Sequence, residues 1–366
     1  MLRKDHNTAT LVLAVLLFGR TCTPAEYYER AGWEAQLSTI YHNVSGTVRI
    51  LDHNSLEVEN FDYDGGGPAV YFYLGTENTQ QAFLNGIPAG SLLSGPIYNN
   101  EAFTIDLPPG QTMDMYNAIS VWCVDFRVNF GSGTFGSVVR YEVTFDASWS
   151  SQTHQNFPPN PHFSGLIGGT HSSDRIYWQL GSLASDGIED MAELGSKSPL
   201  NLEFNNDISG GDAYSLISGG GINPSPGSIS ATFQMHSAFP NITLVSMIAP
   251  SPDWFVGVSG LPLFEDGRWL DNVVVELPPY DAGTDSGVDF TSPNADTNPA
   301  ELITEITGFP FMGNPPLGTF TFRLICDNPL PGDVTGDCRV DLADFAAIAS
   351  HWLVDCNVTP SHPACQ

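Results

Sequence analysis

Thr47-Val-Arg-Ile-Leu51, Asp52-His-Asn-Ser55 and Leu56-Glu-Val-Glu-Asn-Phe61 follow one another without a break, two alternating apolar/polar runs on either side of a polar turn. A period of two with β-branched residues on one face predicts a hairpin with one buried side. The pattern continues outward. Ala69-Val-Tyr-Phe-Tyr-Leu74 and Ala118-Ile-Ser-Val-Trp-Cys-Val-Asp-Phe-Arg-Val-Asn-Phe130 read as further strands, separated by Gly, Pro and Asn turns, so residues 41 to about 135 are expected to form a compact antiparallel sandwich. Gly131-Ser-Gly-Thr-Phe-Gly136 has the spacing of a dinucleotide loop, but the strand-like Val138-Val-Arg-Tyr-Glu-Val-Thr-Phe145 follows it instead of a helix. It reads as a linker.

A second β-rich unit is expected from Tyr141 to about Ile325. Its strands are Ser228–Phe233, Thr243–Ile248, Asn272–Leu277 and Gly318–Leu324. One short helix is predicted from Gly187 to Leu194, stopping at Gly195, and another opening with Asn298 as cap and Pro299 at its first position. From Pro331 onward Leu342, Phe345, Ile348, Ala349, Trp352 and Leu353 recur at helical spacing, which predicts a small helical module. The fold class expected is all-β: two antiparallel β-sandwiches plus a small helical, EF-hand-like calcium module.

Length and composition agree. The 366 residues suffice for two or three cores, and 36 Gly with 27 Pro favour many turns over long helices. Twelve basic against 41 acidic residues give a formal charge of −29. Such a surface repels nucleic acids and anionic membranes, while clustered carboxylates suit divalent cations. At the start, Arg3 and Lys4 precede the apolar run Leu11–Phe18. That is the layout of a secretory signal over residues 1–25, with cleavage after Ala25 and no lipoprotein box at Cys22. No run reaches the ~20 apolar residues of a membrane span. A secreted, extracellular or cell-surface protein is therefore expected, keeping Cys123, Cys326, Cys338, Cys356 and Cys365. Five is an odd number for an oxidising compartment.

Three groups of residues carry chemistry. Asp333-Val-Thr-Gly-Asp-Cys-Arg-Val-Asp-Leu-Ala-Asp344 places Asp333, Thr335, Asp337, Asp341 and Asp344 at positions one, three, five, nine and twelve of a calcium loop, with Arg339 offering its carbonyl. So small a module needs a staple, and Cys338, Cys356 and Cys365 are the disulfide candidates, their pairing left open. Asp253 in Ser251-Pro-Asp-Trp254, with Asp281 and Asp285 in Asp281-Ala-Gly-Thr-Asp-Ser-Gly287, occupy two strand-end loops. Three carboxylates meeting there would require a cation. Cys123 is the third group. Parity puts Trp122, Val124, Phe126, Val128 and Phe130 on one face of the strand and Cys123 with Asp125, Arg127 and Asn129 on the more polar one. His154, His162 and His171 have neither helical-pair nor zinc-finger spacing and read as structural. No nucleophile elbow, Walker loop or Cys-x-x-Cys-His motif occurs, so no enzyme activity is expected.

Family resemblances sharpen this reading. Thr144–His154, Phe157-Pro-Pro159, His162–Gly168 and Thr170-His171, with Ser251–Trp254, Gly257-Val-Ser259 and Asp281–Gly287, resemble a spondin domain over most of residues 141–326. The resemblance implies an extracellular-matrix β-sandwich with calcium held by Asp253, Asp281 and Asp285. His42-Asn-Val-Ser-Gly-Thr-Val48, Leu56–Gly65, Ala69–Gly75 and Ser120-Val-Trp-Cys123 resemble a DM13 domain over residues 41–136. It implies a sandwich proposed for extracellular electron transfer, with Cys123 as redox or haem-linked group. Residues 331–366 resemble the calcium repeat of dockerins, whose partner is cohesin, although dockerins carry two repeats and this chain has one.

The function expected is a secreted, calcium-binding, non-catalytic adhesion, matrix or assembly protein with an extracellular protein or glycan partner. The alternatives are an electron-transfer or thiol-redox protein acting through Cys123 and, through the C-terminal repeat, a component of a polysaccharide-degrading assembly. Asn43, Asn241 and Asn357 head glycosylation sequons.

Overall fold

The computed structural model describes residues 28–311, 316–326, 332–335, 340 and 342–351. The expected signal segment, Cys22 and Asn357 lie outside the described residues. Two sandwiches follow one another. The first has strands β1 (Glu34–Gln36), β2 (Ser45–Ile50), β3 (Ser55–Tyr63), β4 (Val70–Gly75), β5 (Ile87–Ala89), β6 (Tyr98–Asp106), β7 (Ala118–Cys123) and β8 (Val128–Thr134), with the short helix α1 (Gln80–Leu84). All pairings are antiparallel, in one sheet of order β1-β2-β3-β6 and another of order β5-β4-β7-β8. The predicted hairpin is β2–β3, with Val48 opposite Val58 and Ile50 opposite Leu56. Alternate residues of both strands are buried, because one face packs on Val70, Phe72, Leu74, Ile119 and Val121 of the other sheet. The module also begins earlier than Tyr41, since Tyr28, Ala35 and Leu37 belong to its core.

Two expectations about this sandwich need correction. Ala118–Phe130 is two strands joined by a turn at residues 124–127, where Arg127 takes a left-handed conformation (φ 55°). Parity therefore holds only as far as Cys123, and the faces are reversed: Cys123 is fully buried in the main core, while Trp122 packs with Phe83 and Ala118 on the outer side, leaving Phe126 exposed in the turn. The second correction concerns Gly131–Gly136: Gly131 to Thr134 are the second half of strand β8, and only Phe135 and Gly136 belong to the connection. A Cβ on Gly131 would lie 2.2 Å from the Ser38 carbonyl oxygen, and one on Gly133 2.3 Å from that of Gln36. The glycines let the N-terminal segment cross directly over the strand.

The second sandwich has β9 (Val138–Ala147), β10 (His162–Phe163), β11 (Ile167–His171), β12 (Ala213–Ser218), β13 (Gly227–His236), β14 (Asn241–Ala249), β15 (Trp254–Pro262), β16 (Phe264–Glu265), β17 (Arg268–Trp269), β18 (Asn272–Glu276), β19 (Tyr280–Asp281), β20 (Thr304–Glu305) and β21 (Gly318–Ile325). One sheet runs β12-β11-β14-β15-β19-β20 and the other β13-β9-β21-β18. Tyr141, Phe145, Phe233, Phe320 and Phe322 of the smaller sheet fill the core against Ile242, Leu244, Trp254 and Val256 of the larger. Outside the larger sheet lie α2 (Asp186–Leu194) and α3 (Leu200–Gly210), packed through Ile188, Met191, Leu200 and Phe204. Helix α2 ends at Gly195 in the left-handed conformation (φ 65°), the predicted stop. Helix α3 was not foreseen, and no helix forms at Asn298-Pro299. Instead Thr297 and Glu301 donate their N–H groups to the carbonyls of Thr284 and Gly283, so tertiary pairing overrides the local capping signal.

The sandwiches meet at the connection. Glu34 and Gly136 exchange two backbone hydrogen bonds of 2.9 Å, and Thr39 N–H donates to Ser209 O at 2.7 Å. At the C-terminal end, α4 (Leu342–His351) confirms a helix there, but its apolar residues Leu342, Phe345 and Ile348 are exposed.

Candidate metal centre

The two acidic loops do converge. Ser251 Oγ accepts from Trp254 N–H at 3.1 Å, a local turn that swings Asp253 inward at the start of β15. Asp281 pairs with Trp254 across the β15–β19 ladder, and Ala282 N–H donates to Asp253 O. The loop after β19 then wraps the Asp253 side chain: Oδ2 accepts from Thr284 N–H (2.7 Å), Asp285 N–H (3.0 Å) and Thr284 Oγ1 (3.3 Å). Gly283 (φ +77°) makes this turn, and a Cβ there would stand 2.5 Å from the Glu301 carbonyl oxygen.

Asp253 is 0% exposed, and its Oδ1 has no hydrogen-bond partner. A buried carboxylate oxygen without a partner is costly. Burial, and then the neighbouring charge of Asp281, push the Asp253 carboxyl up to about 6. Asp281 is likewise raised, chiefly by burial, although Gly283 N–H and Trp254 Nε1 donate to it at 2.8 and 3.2 Å. Asp285 is buried and accepts from Gly287 N–H (2.7 Å) and Ala295 N–H (2.8 Å). Glu193, near the end of α2, joins them through Thr284; burial raises its carboxyl, with Asp285 and Asp296 adding to the effect. Sequence reasoning missed Glu193 and Asp296, whose only signal would have been the packing of α2 on this end of the sheet.

These groups form no ion pair among the described residues. Nor are three His, Cys, Asp or Glu side chains among them arranged to hold an ion unaided. The orphaned Oδ1 of Asp253 beside Asp281 nevertheless fits a hard cation, which would draw its other ligands from backbone carbonyls and water.

Of the C-terminal loop, Asp333, Thr335 and Asp344 are described. Asp344 is 2% exposed and turns back over the loop, accepting from Val334 N–H (2.8 Å), Thr335 N–H (3.1 Å) and Thr335 Oγ1 (3.1 Å). Asp337, Arg339, Asp341, Cys338, Cys356 and Cys365 lie outside the described residues. Cys326, not among the predicted disulfide candidates, is disulfide-bonded.

Cys123 is a free, fully buried thiol facing Val70 and Val128 across its two ladders. A groove of this sandwich, about 560 Å³ between Phe72, Leu93, Tyr98, Phe103 and Ile105, does not have Cys123 in its lining. The three histidines are apart. His154 meets Thr153 Oγ1 at 2.9 Å and His162 the Asn160 carbonyl at 2.8 Å, while His171 sits between Ser172 O and Thr243 Oγ1, both at 2.8 Å. No helix among the described residues is long and apolar enough to cross a membrane.

Comparison with known proteins agrees with this layout. Over 178 residues the chain is 38% identical to rat Spondin-2, a match covering 46% of this chain and 53% of that protein. Human Spondin-2 is 36% identical over 179 residues, 47% of this chain and 53% of that protein. Rat Spondin-1 is 32% identical over 232 residues, 61% of this chain and 27% of the relative. The chain thus spans about half the length of the Spondin-2 proteins it matches. The family model described as Electron transfer DM13 matches residues 36–135, and that described as Spondin_N matches residues 139–314. Each match coincides with one sandwich, and the chain therefore carries a DM13 domain followed by a Spondin_N domain.

Proposed function

We propose that the protein is a secreted, non-catalytic adhesion or matrix protein whose Spondin_N domain binds calcium at Asp253, Asp281 and Asp285. The observation that carries the reading is the fully buried, unpartnered Oδ1 of Asp253 beside a second carboxylate. Without a cation the two repel and sit in a poor solvent; with one, burial becomes favourable. The spondin likeness supports the extracellular role, with a protein or glycan partner. The C-terminal loop is assigned a second calcium ion through Asp333, Thr335, Asp337, Arg339, Asp341 and Asp344, supported by the inward turn of Asp344 onto residues 334 and 335. Calorimetric titration of calcium into chelator-treated protein tests both assignments: two binding events are expected, one abolished by Asp253→Asn and the other by Asp344→Asn. Heat-silent titration with an unchanged melting temperature would defeat the reading.

Electron transfer is the second reading, favoured by the description of the family matching residues 36–135. Burial of Cys123 argues against direct thiol exchange with an outside partner, because the thiolate must be accessible to attack.

A further inference from the structure

Strand β15 is paired on one side along most of its length and on the other at its start alone. β14 lies beside it from Phe255 to Pro262. On the opposite side β19 meets only Trp254 and Phe255. The bond from Ala282 N–H to Asp253 O sets the phase of that ladder. Residues 253, 255, 257 and 259 direct their backbone N–H and C=O groups toward the β19 side. Continued in register, Gly257 would face Pro278, which has no N–H, and Ser259 would face Glu276. Glu276, however, has left for the other sheet, where it pairs with Thr319. Gly257 and Ser259 therefore have no backbone partner on this edge among the described residues.

Against the edge lies a groove of about 640 Å³, with Trp178, Leu180, Val258, Leu261 and Tyr280 in its lining. The ring of Trp178 packs on Phe255 and Tyr280 at 5.0 and 4.9 Å between centroids. It is 4% exposed, yet its indole N–H has no partner. Ser259 Oγ donates to the Trp178 carbonyl and fixes the loop to the strand. The two charged residues of the lining differ. Arg175 is bound to Asp207 through Nε and Nη2, whereas Glu276 is exposed and has no basic partner among the described residues. The groove thus presents backbone donors and acceptors in strand phase, an apolar floor and one free carboxylate, with the orphan indole N–H buried within the Trp178 that lines it. Gly260, left-handed at φ +59°, ends the pairable stretch.

We propose that this groove binds an extended peptide segment by strand addition. The peptide backbone pairs with Gly257 and Ser259, a carbonyl of the peptide accepts from Trp178 Nε1, an apolar side chain rests on Trp178 and Tyr280, and a basic side chain reaches Glu276. Only an extended backbone supplies acceptors and donors at the ~3.3 Å per residue rise that the edge requires.

The test uses the full chain in calcium and a pool of fluorescein-labelled, capped pentapeptides alternating Val, Leu or Tyr with Lys, read by fluorescence polarisation. Saturable binding is expected. Trp178→Phe, which keeps an aromatic ring at the site, though a smaller one, and removes the N–H, should weaken it about five- to tenfold, and Glu276→Gln should flatten its salt dependence. Peptides N-methylated at alternate amides should not bind. Equal binding of the methylated peptides, or no saturation by any member of the pool, overturns the proposal. Displacement of bound peptide by maltohexaose, with the same sensitivity to Trp178→Phe, would reassign the groove to glycans and overturn it as well.

Discussion

His236 of the second sandwich places Nε2 at 2.8 Å from the carbonyl oxygen of Glu34 in the first. Its Nδ1 accepts from Ala238 N–H at 3.0 Å. The two bonds require the neutral ring with its proton on Nε2, and they tie the domains together beside the Glu34–Gly136 backbone pair. Replacing His236 with Phe leaves the Ala238 N–H unpaired and the Glu34 carbonyl with the Gly136 N–H alone, and the expected loss is about 1–2 kcal/mol. Urea denaturation checks this, and an unchanged midpoint would show that the contact contributes nothing to coupling.

The same burial makes stability depend on pH. His236 and His171 are both held below the ordinary histidine value of 6.5, chiefly by burial. In the unfolded chain they protonate near 6.5, whereas in the folded chain they stay neutral to lower pH, so the unfolded state binds more protons in that window. Stability should therefore fall as pH drops below about 6.5, by up to ~1.4 kcal/mol per pH unit for each ring. Asp253 acts with the opposite sign when no cation is present, because its raised pKa gives a contribution present in acid and lost as pH rises through about 6. The measurement is thus the difference between wild type and His171→Gln in saturating calcium; parallel pH curves would refute the histidine contribution.

Calcium at one hundred times its dissociation constant should stabilise the wild type by about 2.7 kcal/mol per site. Asp253→Asn should lose that increment at the Spondin_N site and, in chelator, melt no lower than wild type, since it removes a buried charge rather than a needed one. A variant that still gains the full increment would place the ion elsewhere.

Cys123 should not react with a thiol reagent until the first sandwich opens. Its modification rate should rise with denaturant in step with unfolding, and Cys123→Ser, which buries a hydroxyl in an apolar site, should cost about 1–3 kcal/mol. Prompt modification of the native protein at neutral pH would revive the thiol-exchange reading.

Much of the architecture could be read from period-two alternation because buried strands must alternate: β2, β3, β4, β9, β14 and β21 fall within a few residues of their predicted positions. Failures arose where a long-range neighbour decided the matter. Nothing local to Cys123 says that its side of β7 faces the core, since the faces of that strand are both apolar. Gly131 and Gly133 answer to Ser38 and Gln36, nearly a hundred residues away. The loops of Asp253 and Asp281 were legible as acidic strand ends, but the enclosure of Asp253 by Thr284 and Asp285, and the approach of Glu193, are products of the assembled sheet.

The pairing of β9 with β21 has a mechanical consequence. β9 begins immediately after the first sandwich and β21 ends at Ile325, opposite Arg140, so the chain enters and leaves the second sandwich at the same end of one antiparallel ladder. The carboxylate loops, beside Trp254 and Phe290 beyond Ala147, lie at the far pole. Tension between the first sandwich and the C-terminal segment would load this ladder as a zipper, breaking Ile325–Arg140 first and Leu324–Tyr141 next, each bond carrying the load alone. The Spondin_N domain would thus yield gradually under pull from its tethers, with its carboxylate pole the last part to feel the force.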